Sequence, residues 1–99
     1  MTEIELSVLV RLSCQRALLG AITPAVRLVT IGWDGQQSFK LKAYFDAAPG
    51  EQEKEDFEVV CTEILADISF ETVSAECIYS KATRGELAVY KYIVYARKE

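Results

Sequence analysis

The chain has 99 residues, 51% of them hydrophobic and 26% charged, with a net charge of −4 and no histidine. That length makes one domain, able to bury roughly 60–65% of its extended surface, and the composition is globular. Lacking histidine, the chain lacks the commonest general base and any Ser-His or Cys-His pairing, and no apolar run approaches the roughly 20 residues of a membrane span.

Three cysteines (Cys14, Cys61, Cys77) cannot all pair, and none forms a CxxC or CxxH unit. They read as reduced core residues and not as metal ligands, and no cofactor is expected. The opening Met1-Thr2-Glu3-Ile4-Glu5 places acids where a signal peptide places bases, which points to the cytoplasm.

From Thr2 to Gly20 two readings compete. Ile4, Leu6, Val8, Val10, Leu12 and Cys14 alternate as in a strand, which would span Glu3 to Arg11. The helical reading is preferred, because CQRALLG is rich in helix formers, Gly20 is a natural terminator and Pro24 follows. As a helix the segment has two apolar faces. Val8, Leu12, Leu19 and Ile22 lie on one side, and Leu6, Val10, Cys14 and Ala21 on the other. Such a helix is covered on both sides or packs against another chain, so a homodimer through it is one expectation.

Val26 to Trp33 is a strand by its β-branched content, and Asp34-Gly35 signals a hairpin. Ser38 to Asp46 then alternates cleanly: Phe39, Leu41, Ala43 and Phe45 point one way, Ser38, Lys40, Lys42 and Tyr44 the other. Loop length decides which face of the first strand joins the core. A two-residue turn places Val26, Leu28 and Thr30 inside and Trp33 outward. An odd-length loop buries Val29, Ile31 and Trp33 instead.

The clearest periodic signal is EQEKEDFEVVCTEILADI, Glu51 to Ile68, entered through Pro49-Gly50. Phe57, Val60, Cys61, Ile64, Leu65 and Ile68 form one apolar stripe of helical period. From Glu51 to Asp67 seven acids face one base, Lys54, so the segment stands at −6 within a chain of −4 and everything else sums to +2. The acids form two rails beside the stripe: Glu51, Glu55 and Glu58 on one side, Asp56, Glu63 and Asp67 on the other. They read either as a docking surface for a basic partner or as a solvated face with acids at the positive end of the helix dipole.

Beyond it, Val73, Ala75, Cys77 and Tyr79 alternate as a strand, Lys81 to Gly85 is loop-like, and Tyr92 to Arg97 is a closing strand. Glu86 to Lys91 is strand or loop. The order αββαββ predicts an α+β two-layer sandwich spanning residues 1–99, with a four-stranded, mainly antiparallel sheet and both helices on one face. The other face would carry Lys40, Lys42, Tyr44 and, with a two-residue turn, Trp33.

Trp33 is either a core residue or an exposed anchor. Tyr90, Tyr92 and Tyr95 with Arg97 and Lys98 superficially resemble a base-stacking cluster, but the negative charge and the lack of a basic stripe argue against nucleic acid. Neither Asp46 with Glu51 nor Glu63 with Asp67 carries a sign of a catalytic carboxylate pair, and no phosphate-loop, dinucleotide, HExxH or EF-hand motif occurs.

Three blocks carry a family likeness: SCQRALLGAITPAVRLVTIGWDG, then YFDAAPGEQEKEDFEVVCTEILADI, then VYARKE. In this order the chain resembles small bacterial immunity-type proteins found beside toxin genes, such as those of contact-dependent growth inhibition systems. The resemblance implies a cytoplasmic, non-enzymatic protein that neutralises a cognate toxin by binding it. Many such toxins are nucleases with basic surfaces, which the acidic rails would suit. The residues expected to bind are Glu51, Glu55, Asp56, Glu58, Glu63 and Asp67, with Trp33 as an anchor. The alternative is a self-associating structural or adaptor domain without enzymatic activity.

Overall fold

A computed structural model describes residues 2–99. The first segment is helical, as preferred: α1 runs Glu3–Ala17 and ends in a 3-10 turn, Leu18–Gly20. Its start is a reciprocal cap. The Thr2 hydroxyl accepts from the Glu5 amide at 3.1 Å, and the Glu5 carboxylate accepts from the Thr2 amide at 3.2 Å. Strands β1 (Val26–Asp34) and β2 (Ser38–Phe45) follow, then α2 (Glu51–Asp67), β3 (Thr72–Tyr79) and β4 (Tyr92–Ala96). Residues 86–91 form no strand; a 3-10 turn, Arg84–Glu86, precedes them.

The order αββαββ holds, but the sheet is mixed and not mainly antiparallel. Its strand order is β3-β2-β1-β4; β1 pairs antiparallel with β2 and β4, while β2 and β3 run parallel. The cause is α2. Seventeen helical residues span about 25 Å, the length of an eight-residue strand, so the helix returns the chain to the starting end of β2 and β3 leaves in the same direction.

Asp34 pairs with Ser38, so three residues, Gly35 to Gln37, make the hairpin loop. Gly35 has φ +52°, a conformation that suits glycine, and the Gln37 amide donates to the Asp34 carbonyl at 2.9 Å. The odd-length register follows: Val29 and Ile31 join the main core, and half-buried Trp33 packs at its margin.

That core unites Leu6, Val10 and Cys14 of α1, Phe57, Val60, Cys61 and Ile64 of α2, and Phe39, Leu41, Ala43 and Phe45 of β2. The helices touch each other, α1 also meets β4, and α2 meets β3. Of the stripe predicted for α2, Leu65 alone stays exposed, at 39%.

Tyr44, expected from the alternation to oppose Phe39 and Leu41, is buried too, and so is Leu28. They form a second cluster with Leu87 of the β3–β4 connection. The Tyr44 hydroxyl donates to the Ala88 carbonyl at 2.6 Å. Because β3 and β4 lie at opposite edges of the sheet, their connection has to cross it, and Gly32 marks the passage: a Cβ there would meet Tyr90 Cβ at 3.0 Å. Fully buried Thr30 pins the crossing, its hydroxyl donating to the Tyr92 carbonyl at 2.8 Å and accepting from the Tyr90 amide at 2.9 Å. Buried Arg27 holds both ends. Its guanidinium grips the Glu99 carboxylate through two bonds of 2.8 Å and donates to the Ser80 and Ala82 carbonyls at 3.0 and 2.9 Å.

Two outcomes are expected. Thr30→Val, which keeps the shape but orphans the Tyr90 amide, lowers unfolding free energy in urea by about 1–3 kcal/mol. The second concerns pH. Hydrogen bonding to Arg27 holds the Glu99 carboxyl at about 2, below its ordinary 4.5. The unfolded state therefore binds more protons between these values, and the stabilisation is complete above pH 4.5 and lost as pH falls through 2. Glu99→Gln lowers the urea midpoint at neutral pH and flattens that part of its acid fall.

Candidate functional site

Helix α2 starts after Gly50, whose amide donates to the Glu53 carboxylate at 2.9 Å, so one of the first-turn acids serves the cap. Burial of Phe57, Val60, Cys61 and Ile64 fixes which way the helix faces and turns both acidic rails to its flanks. The rails meet different surroundings.

On the flank toward α1, Asp67 belongs to the fold. It accepts from the Ser13 hydroxyl at 2.7 Å and pairs with the Arg16 guanidinium. The Ser13 hydrogen bond, then the charge of Arg16, holds its carboxyl below the usual range. Asp56, half-buried, accepts from the Gln52 side-chain Nε2 at 2.9 Å. Glu63 is exposed beside a shallow hollow that it lines together with Ser13, Arg16, Ala66 and Asp67.

On the far flank Glu51, Glu55 and Glu58 are all exposed. Among the described residues, no side-chain hydrogen bond or ion pair engages the carboxylates of these three or of Glu63. The seven acids of the segment thus divide: Glu53, Asp56 and Asp67 are bound within the molecule, and four point carboxylates at solvent.

Trp33 stands apart from α2. Its ring stacks on Tyr92 at 5.3 Å, its indole N–H donates to Glu3 at 3.1 Å, and the Lys91 ammonium lies 4.6 Å above it. Each polar or aromatic group the side chain offers is therefore engaged inside the chain. The terminal aromatic and basic residues are similarly occupied: Tyr95 packs on the core, and Arg97 pairs with Asp46 at 2.6 Å.

The thiols lack nucleophilic character. Burial pushes Cys14 up to about 12, and Cys61 and Cys77 up to about 11. Among the described residues, no three Cys, Asp or Glu side chains are placed to hold a metal ion. What the sequence reading missed is the Arg27–Glu99 lock. An arginine inside a β-branched run was its only signal, and the partner lies 72 residues away.

Together these side chains describe a charged surface, four of whose carboxylates are open to solvent. The comparison over the whole chain is more decisive: the family model described as MafI2 immunity protein matches residues 8–99. The chain belongs to the MafI2 immunity protein family. The likeness to immunity-type proteins is thereby borne out at the level of family, and the match takes in both helices and all four strands apart from Glu3 to Ser7 of α1. No curated protein matches this MafI2-family chain.

The division of the acids gives a test. Asp67→Ala lowers the urea midpoint, because it strips Ser13 and Arg16 of their acceptor, whereas Glu55→Gln and Glu58→Gln leave it unchanged or raise it by relieving like-charge repulsion.

Proposed function

We propose that this chain neutralises a cognate toxin in the cytoplasm by binding it, doing no chemistry of its own, and that the toxin docks on the acidic flanks of α2. Membership of an immunity protein family carries the first part. The second rests on Glu51, Glu55, Glu58 and Glu63, four exposed carboxylates on a helix that holds more than the whole net negative charge. A concentrated acidic pole speeds association with a basic surface and repels acidic competitors. Toxins that cut nucleic acid present such basic surfaces, so a nuclease domain is the partner class this chemistry suits. Asp56 and Asp67 form the part of the surface nearest α1, where Asp67 positions Arg16 and contacts the partner only at its rim.

The measurement is stopped-flow association with the cognate toxin domain. Between about 50 and 500 mM salt the association rate falls by tenfold or more, as expected for exposed charges screened over a Debye length of about 8 Å at physiological salt. Reversing Glu51, Glu55 and Glu58 to Lys slows association and leaves dissociation nearly unchanged. A rate indifferent to both changes would remove α2 as the docking face, while protection of cells against the toxin tests the immunity role separately.

A further inference from the structure

Helix α1 carries a feature that the docking of an acidic surface does not use. Its side opposite the core is largely apolar: Ile4 is 78% exposed, Val8 51%, Leu12 60% and Leu19 85%, with Gln15 the polar residue among them. Monomeric proteins seldom leave a row of aliphatic side chains uncovered along a whole helix. The structure assigns this stripe to a second copy of the chain, docked as an antiparallel helix pair about a two-fold axis.

Three observations favour a second copy over an unrelated partner, and all concern the relation between the two ends of α1. The two most exposed side chains, Ile4 and Leu19, stand at opposite ends of the stripe. A mainly apolar hollow lies at each end, between α1 and β4. One, of about 330 Å³, is lined by Ile4, Val8 and Tyr92 together with Glu3, Ser7, Arg11 and Lys91. The other, of about 240 Å³, is lined by Leu19, Ile22 and Val94. Antiparallel pairing sets Leu19 of each copy against the hollow beside Ile4 of the other, so each end meets its complement twice.

The charges obey the same relation. Glu5 and Arg16 are eleven residues apart, about three turns, and therefore share one flank of the stripe. With the two-fold axis crossing α1 midway between Leu9 and Leu12, Glu5 of each copy faces Arg16 of the other. Arg16 remains 68% exposed while it pairs with Asp67, which leaves guanidinium donors for a second carboxylate. On the opposite flank Arg11 lies over the Tyr92 ring at 4.8 Å, on the wall of the hollow beside Ile4. A hydrophobic centre with a self-complementary charged rim is what an isologous interface requires. Glu51, Glu55 and Glu58, on the flank of α2 away from Asp67, stay outside it.

Sedimentation equilibrium of the full chain alone tests this. A dimer is expected at concentrations up to about 200 µM, a range that captures even a modest interface. Leu12→Asp, at an exposed site, yields a monomer with an unchanged circular dichroism spectrum. Glu5→Arg and Arg16→Glu each raise the dimer dissociation constant about tenfold. An equimolar mixture of those two variants regains wild-type association, because both cross-axis contacts become complementary. Comparison with each variant alone separates this from loss of the internal Asp67 pair. A monomer at about 200 µM overturns the proposal and leaves the stripe to a different partner. So does a dimer that survives Leu12→Asp, or a mixture no tighter than its separate components.

Discussion

Strand β1 runs through the interior of the sheet with every residue from Val26 to Ile31 buried, so each of its faces needs a cover. Two unrelated stretches supply them. Val29 and Ile31 lie in the cluster that holds the apolar stripes of α1 and α2, whereas Leu28 is covered by Leu87 and Thr30 by the backbone of Tyr90 and Tyr92. Removing either cover would expose half of the central strand to water. The helices therefore cannot be understood as the whole of the fold, although they hold most of its periodic signal.

The second cover has only one 3-10 turn of regular structure, so polar side chains do much of the work of satisfying its backbone. Thr30, Arg27 and Tyr44 reach from the sheet to five backbone groups of the connection and of β4. In a low-dielectric setting such bonds strengthen and an orphaned partner is costly, so this part of the molecule behaves as a unit. Among the described residues, the Arg27 guanidinium also carries the one ion pair between a buried cation and a largely covered carboxylate; the other pairs have more exposed cations. Two kinds of polar group are thus separated in space: buried polar contacts fasten the crossing connection, and free carboxylates gather on α2.

This separation gives physical content to membership of an immunity family. A protein that works by occupying another's surface needs a rigid body and a distinctive exterior. Here the exterior has two poles. One is an acidic helix with four carboxylates open to solvent; the other is an aliphatic row on α1, flanked by charges already engaged with Lys91, Trp33 and Asp67. Charge acts over a Debye length and selects partners, while aliphatic surface acts at contact and holds them.

Local chemistry alone determined a good deal of this. The stripe Phe57, Val60, Cys61, Ile64 and Ile68 named α2 and its buried face, the β-branched run named β1, and Val8, Leu12 and Leu19 already announced a second apolar face on α1. These are readings of periodicity, which depends only on the spacing of neighbours along the chain. Tertiary structure decided the rest. Whether Trp33 lay inward hung on a single residue of loop length, since a shift of one reverses every side chain in a strand. The direction of β3 depended on how far α2 carries the chain, and the burial of Tyr44 on a connection that crosses the sheet more than forty residues later. Asp67 and Glu63 look alike in sequence; only the approach of Ser13 and Arg16 from α1 makes one a structural acid and leaves the other free. Contacts between residues distant in sequence leave no periodic trace, and in this protein they are what distinguish a residue that holds the fold from one available to a partner.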